Sequence, residues 1–190
     1  MYDRTKTIGA SDAVMIGAGD WAALFDRKTA KERSASDYPL AAELGHKLEA
    51  FNLELYTRSS GHTVYVDPKW QEKPLTLPGF DWCTYLPDGM VERDTNGLIP
   101  IEAKAVNMMW NPINLLNKYM PQLQHAMRVT ATPSCIFSVI YLNTRYEYTE
   151  IPYDPPYDNE LFEKEQLFHY LLINGIRPPE YGGKRKGWIE

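Results

Sequence analysis

From Leu98 to Val106 the chain alternates, so that Ile99, Ile101, Ala103 and Ala105 fall on one face of an extended strand while Glu102 and Lys104 share the other. Such a strand packs its small apolar face against other structure and presents an acid and a base from the opposite face. That restricts the chain to a layered architecture in which one face of a sheet packs and the other carries chemistry. Pro100 removes a ladder donor and suits an edge or a strand start, so the strand is expected to begin late.

Upstream, Asp94-Thr-Asn-Gly97 is a turn signal between Met90-Val91-Glu92 and this strand, which predicts a hairpin. Asp88, in the stretch Leu86-Pro-Asp-Gly-Met90, then lies at or just before one strand while Glu102 lies on its partner. Two carboxylates brought together by neighbouring strands make a hard oxygen site suited to Mg²⁺. A lysine two residues beyond the second carboxylate can steady or deprotonate an attacking water. The cation would offset the like-charge repulsion that otherwise raises a carboxylate pKa. A structural salt bridge would need only one acid, so the second points to metal-assisted phosphodiester hydrolysis.

At 190 residues the chain suffices for one substantial core but is short for two full domains. It is read as a single domain over residues 1–190, with an irregular basic tail over 175–190. No run approaches the length of apolar sequence a membrane span requires, and Met-Tyr-Asp-Arg-Thr-Lys lacks the apolar core of a signal peptide. Two cysteines, Cys83 and Cys135, are too few for a disulfide scaffold or a four-cysteine metal cluster, and fit a reducing cytoplasm. His46, His62, His125 and His169 show neither HxH nor HExxH spacing and are read as structural or surface residues; no zinc site is expected. A formal charge of −5 is awkward for binding DNA, where lysine and arginine supply most non-specific affinity. Lys184-Arg-Lys186 and the N-terminal Arg4, Lys6, Arg27, Lys28, Lys31 and Arg33 partly offset it.

Along the chain, Ile8 to Met15 reads as a helix opening with Ser11 as its N-cap, a place where amides and a hydroxyl can also hold a phosphate. Asp20 to Lys28 reads as a second short helix. Pro39 to Arg58 is the clearest helix, with Leu40, Leu44, Leu48, Phe51 and Leu55 as its core stripe. Glu49 sits at the border of that stripe, with Gly45 leaving room one turn earlier, within reach of the metal site if the helix crosses the sheet. A strand over His62–Val66, a loop over Pro68–Pro78 and a segment over Phe80–Tyr85 lead to the acidic hairpin. Asn111-Pro112 starts a helix that Pro121 either kinks or restarts. Ser134–Leu142 reads as a buried central strand, Tyr146–Ile151 as a partner nearer an edge, and Leu161–Ile173 as a last helix.

Taken together, Ile8-Gly-Ala-Ser11-Asp, Gly45-His-Lys-Leu-Glu49, Leu86-Pro-Asp-Gly89, Ile101-Glu-Ala-Lys104 and Tyr119-Met-Pro-Gln-Leu-Gln-His-Ala-Met-Arg-Val-Thr130 resemble the phage lambda exonuclease and YqaJ-type viral recombinase family, within the PD-(D/E)xK nucleases. The resemblance implies a restriction-endonuclease-like α/β fold, a central mixed β-sheet flanked by α-helices. It implies a Mg²⁺-dependent 5′-to-3′ exonuclease, with Mn²⁺ substituting, that resects linear duplex DNA to 3′ single-stranded overhangs for phage recombination.

By the same resemblance Asp88 and Glu102 bind Mg²⁺ with the Ala103 carbonyl, Lys104 orients or activates water, and Glu49 assists at a second metal or through its waters. Arg4 and Ser11 match residues that hold a 5′-phosphate, and Tyr119 and Gln122 line the site against the scissile strand. A homotrimeric ring around DNA and a single-strand annealing protein as partner are also implied. Two features depart from the family pattern: the interval from Asp88 to Glu102 is longer, and Pro121 interrupts a helix that usually continues. The rival readings are a structure-specific or nicking endonuclease on the same fold, and a non-catalytic DNA-binding assembly module.

Overall fold

Parallel pairing of Ile101–Val106 with Ile136–Tyr141 sets the frame of the molecule. The structure is a computed structural model that describes residues 3–30, 40–93, 97–107, 109–142 and 145–180. The elements in chain order are β1 (Ile8–Gly9), α1 (Ala10–Ala18), α2 (Trp21–Thr29), α3 (Leu40–Ser60), β2 (Val64–Tyr65), α4 (Lys69–Glu72), β3 (Leu75–Leu77), β4 (Phe80–Tyr85), β5 (Gly89–Arg93), β6 (Gly97–Val106), α5 (Pro112–Thr130), β7 (Ser134–Tyr141), β8 (Arg145–Pro152) and α6 (Pro155–Ile173). The larger sheet has the order β2-β5-β6-β7-β8, antiparallel except between β6 and β7. A smaller sheet, β1-β4-β3, pairs β1 parallel and β3 antiparallel to β4. This is the mixed sheet with flanking helices expected from the sequence.

The alternation in β6 sorts its residues between two helices. Ile99, Ile101 and Ala103 pack with Ile136, Leu53 and Tyr56 beneath α3. The opposite face of the sheet, through Cys135, Phe137, Val139 and Tyr141, packs on Leu115, Leu123 and Met127 of α5. Glu102 and Lys104 therefore point toward α5, and Glu102 is only 1% exposed. The charged face of the strand is roofed rather than open. Strand β7 is buried along its whole length, as its apolar run predicts, and β8 forms the edge.

Several expectations are corrected. β6 begins at Gly97 rather than late, because Pro100 opposes Met90 of β5 and precedes Ile101, the first residue that β7 pairs. A missing donor does least harm where a strand has a neighbour on one side only. Of the expected turn, only Gly97 lies within the described residues, with φ +67. The stripe of α3 is also rotated: Leu44 and Phe51 are exposed, while Asn52, Leu53 and Tyr56 are buried. Polar anchoring decides this rotation. Asn52 Nδ2 donates to the carbonyls of Lys104 (2.9 Å) and Ser138 (3.1 Å), and Ser138 Oγ donates to Asn52 Oδ1 (2.5 Å). The side chain of Leu40 lies outside the described residues.

The segment from Pro68 to Pro78 is not simply a loop; it holds α4 and β3, the latter paired with β4. α5 runs unbroken from Pro112 to Thr130 with Pro121 inside it, so the proline neither restarts nor ends the helix. Asn111 caps it, its Oδ1 accepting from the amides of Ile113 (2.9 Å) and Asn114 (3.3 Å). Pro121 is seated against α1, where a Cβ on Gly17 would lie 2.7 Å from its Cγ. α6 starts at Pro155, six residues before its expected first turn, because Asp154 accepts from the amide of Tyr157 (3.2 Å) and the two prolines occupy positions that need no donor. Lys184 to Lys186 lie outside the described residues.

Candidate active site

Strand β4 ends at Tyr85, and Leu86-Pro87 carries the chain to Asp88 at the mouth of β5. Gly89 must follow, because a Cβ there would lie 2.7 Å from Val64 Cγ1 and 3.1 Å from Ile101 Cγ2. That tight approach brings Asp88 against β6, where its Oδ2 accepts from the amide of Ala103 (2.9 Å). On the other side, Glu102 Oε2 accepts from Lys104 Nζ (3.0 Å) and Gln122 Nε2 (2.5 Å). Lys104 Nζ stands 3.9 Å from Asp88 Oδ2, so one ammonium bridges both acids.

The second oxygen of Glu102, Oε1, and the Tyr85 hydroxyl are both buried and neither makes a hydrogen bond of ordinary geometry, although the two side chains lie close enough to interact. A buried carboxylate oxygen without a partner is costly. Burial pushes the Glu102 carboxyl up to about 7, with Asp88 adding to the rise and Lys104 opposing it. Burial works to lower Lys104, but the carboxylates of Glu102 and Asp88 outweigh it and hold the ammonium above its ordinary value. Two neighbouring acids whose charges repel, one of them short of hydrogen bonds, fit a hard divalent cation, which would relieve the repulsion.

Beside this pair opens a cleft of about 410 Å³ lined by Arg4, Ser11, Glu49, Asp88, Ala103, Lys104 and Gln122, among others. Seven of the sequence-derived site residues thus meet in one cavity. Glu102 lies beneath it, and the Tyr119 ring sits 5.4 Å from Lys104 Nζ at its side. Glu49 reaches the cleft because α3 is turned by Asn52, the residue that sequence reasoning missed.

Ser11 is corrected in one respect: it stands inside the first turn of α1, and Gly9 is the N-cap. Asp12 reaches back to accept from the Gly9 amide (3.0 Å), which leaves the Ser11 hydroxyl to the cavity. Asp12 also holds Arg27 (2.7 Å) and Lys28 (2.7 Å), gathering cations around a second cavity of about 230 Å³ that shares Arg4, Gly9 and Ser11 with the first. Arg27 was legible only as diffuse positive charge. Lys28 is spent on structure, donating to the carbonyls of Arg4 (3.0 Å) and Thr7 (2.7 Å).

A different trio, Cys83, His125 and Glu165, also has metal-ligand chemistry and is fully buried. Its surroundings argue against a cation. His125 Nε2 donates to the Thr84 carbonyl (2.9 Å) and Nδ1 faces Glu165 Oε1 (2.9 Å). Arg128 pairs with the other oxygen of Glu165 and with Asp158 (2.8 Å), so the site already contains its cations. Burial works to lower His125, but Glu165 beside it outweighs that and raises the imidazole well above its ordinary value. The group is an ion network fastening α5 to α6 and β4, in keeping with a structural histidine.

No curated protein matches the chain. Among solved structures, LHK-Exo in complex with dAMP aligns at a TM-score of 0.69 and 22% identity over 91% of each chain. The alkaline exonuclease LHK-Exo from Laribacter hongkongensis aligns at 0.66 and 20%, again over 91% of each. SSO0001 aligns at 0.55 and 17%, over 85% of this chain and 76% of that one. These likenesses establish the fold, which is that of the alkaline exonuclease structures. Residues 1–133 match the YqaJ-like viral recombinase domain, a stretch that contains every residue of the cleft, and the chain belongs to that family.

Proposed function

We propose that the chain is a metal-dependent deoxyribonuclease that degrades one strand of linear duplex DNA from its 5′ end. The observation that carries this reading is the convergence of Asp88, Glu102 and Lys104, with the ammonium 3.0 Å from one acid and 3.9 Å from the other, beside a cleft that Arg4 and Ser11 also line. Asp88 and Glu102, with the Ala103 carbonyl, would hold Mg²⁺, and Mn²⁺ would substitute. Bound there, the ion supplies Lewis-acid stabilisation of charge on the phosphate and its leaving oxygen.

The chain's own groups do the remaining work. Lys104, kept cationic by two carboxylates, donates a hydrogen bond that orients the attacking water or a phosphate oxygen rather than accepting a proton. Gln122 fixes the rotamer of Glu102. Glu49, which also lines the cleft, would act through metal-bound waters, and Tyr119, its ring 5.4 Å from Lys104 Nζ, would shield Lys104 on the side of the scissile strand. Arg4 matches the geometry of phosphate through its guanidinium fork, and Ser11 offers a hydroxyl beside it. Together they would select a 5′-phosphorylated end.

A homotrimeric ring around the duplex would keep an acidic chain on DNA, and a single-strand annealing protein would receive the exposed 3′ overhang in the cytoplasm. The deciding experiment compares linearised with closed circular plasmid, with and without Mg²⁺, and 5′-phosphate with 5′-hydroxyl ends. Digestion of linear DNA alone, favouring phosphorylated ends and abolished in Lys104→Ala, is expected. Cutting of closed circles would establish the endonuclease reading instead, and inert linear DNA would leave the binding module. Ser11→Ala and Arg4→Ala should slow phosphorylated ends selectively.

A further inference from the structure

Beyond the acids, an uninterrupted series of aromatic rings and lysines leads out of the cleft. Lys104 Nζ lies 5.4 Å from the Tyr119 ring centroid, Lys118 Nζ lies 5.3 Å from the same ring, and Lys118 Nζ lies 4.9 Å from the ring of Trp110. Trp110 is 37% exposed, in the connection between β6 and α5. Beside it Met109 is 82% exposed and Ile113 is 69% exposed. A large apolar surface at the end of a catalytic strand is not explained by folding.

Charge points to the occupant. In a chain of formal charge −5, the sequence from Ala103 to Tyr146 contains no aspartate or glutamate, while it places Lys104 and Lys118 beside the rings and Arg145 on β8; Arg128 is committed to Asp158 and Glu165. Glu147, which lines a small pocket with Ile113, is held by Arg145 at 3.3 Å. Cationic side chains interleaved with exposed rings, lying against a site for phosphodiesters, match the pattern that binds unpaired nucleotides: bases stack on rings and phosphates meet ammonium groups. A protein partner would gain from Met109 and Ile113 but has no use for the lysine between two rings.

We propose that Trp110, Lys118 and Tyr119 form a stacking rail for unpaired DNA nucleotides next to the scissile phosphate, with a base on Trp110 and a phosphate at Lys118. The proposal rests on the nuclease reading of the same cleft and specifies how the strand is held there. It implies that the enzyme engages a frayed end more readily than a blunt one.

The test is fluorescence anisotropy with a labelled, 5′-phosphorylated thymidine oligonucleotide in EDTA, where no cleavage occurs, alongside steady-state digestion of blunt and 5′-frayed linear duplex with Mg²⁺. Trp110→Ala should weaken oligonucleotide binding about tenfold, with Trp110→Phe recovering most of it. Lys118→Ala should lower the slope of log affinity against log salt by about 0.7. In digestion, Trp110→Ala should raise KM, leave kcat within about twofold, and erase the preference for frayed ends. Wild-type affinity in Trp110→Ala overturns the rail, and a change in sedimentation alone would assign the patch to contact between copies. If the wild type binds the oligonucleotide through Trp110 yet never cuts DNA, the nuclease reading fails and the rail stands. If it does not bind the oligonucleotide yet digests linear duplex, the rail fails and the nuclease reading stands.

Discussion

Gln122 Nε2 donates to Glu102 Oε2 at 2.5 Å, on the same oxygen that Lys104 holds at 3.0 Å, so α5 is tied directly to the acid on β6. A hydrogen bond to a charged group contributes about 1.5–3 kcal/mol. Gln122→Ala frees Glu102 to rotate toward Tyr85 and should lower kcat on linear duplex DNA by about ten- to a hundredfold. Circular dichroism should be unchanged, while the unfolding midpoint should fall by several degrees, as loss of a hydrogen bond of that size requires. A variant with wild-type kcat would mean that Lys104 alone positions the carboxylate.

Glu102 predicts a coupling between pH and metal. Its carboxyl is pushed from an ordinary value of 4.5 up to about 7 by burial, then by Asp88. Between those values the folded state holds more protons than the unfolded one, so stability falls as pH rises through the window, by an amount on the order of a few kcal/mol. A cation at Asp88 and Glu102 removes the cause of the shift. In EDTA the thermal midpoint should therefore drop from pH 5 to pH 8, and added Mg²⁺ should raise it more at pH 8 than at pH 5. A midpoint insensitive to Mg²⁺ at pH 8 would place the metal elsewhere.

Much of this arrangement was legible because it is local. The alternation of Leu98 to Val106 assigned Ile99, Ile101 and Ala103 to one face and Glu102 and Lys104 to the other, and β6 is built that way. The run at Ser134–Leu142 likewise announced a central strand. What escaped was set by contacts distant in sequence. Leu44 and Phe51 look like core by spacing, yet Asn52 bonds to the carbonyls of Lys104 and Ser138 and turns them outward. Ser11 reads as a cap until Asp12, anchored by Arg27 and Lys28, takes the Gly9 amide.

Pro121 belongs to the same class, since nothing near it in sequence explains its place inside a helix. Gly17 on α1 does: a Cβ there would lie 2.7 Å from Pro121 Cγ and 3.2 Å from its Cβ. Gly17→Ala gains helix propensity but forces α1 from α5, and overpacking of this kind costs about 1–3 kcal/mol. Pro121→Ala makes room for it. Denaturant unfolding of the two single variants and the double should show Gly17→Ala destabilised and the double variant more stable than the sum of the singles. Strict additivity would mean that the helices do not press on each other here.

The network of His125, Arg128, Asp158 and Glu165 is a further cluster of buried charge, and Glu165 is its hub, accepting from Arg128 on one oxygen and facing His125 at 2.9 Å on the other. Glu165→Gln leaves the His125 imidazolium facing a neutral amide, while Arg128 keeps Asp158 (2.8 Å) as its one carboxylate. Removing one member of a buried ion pair costs about 3–5 kcal/mol, so urea unfolding should shift strongly to lower concentration. Glu165→Gln should also lower the pKa of His125, since Glu165 is what raises it against burial. Stability contributed by this imidazolium is complete below the unfolded pKa near 6.5 and is lost as pH rises through the folded value. The wild type should therefore lose more stability than Glu165→Gln on going from neutral to alkaline pH. Zn²⁺ should stabilise neither protein, because Arg128 and the protonated His125 already fill the positions a cation would take. A clear rise in the wild-type midpoint with Zn²⁺, absent in Glu165→Gln, would instead make Cys83, His125 and Glu165 a metal site.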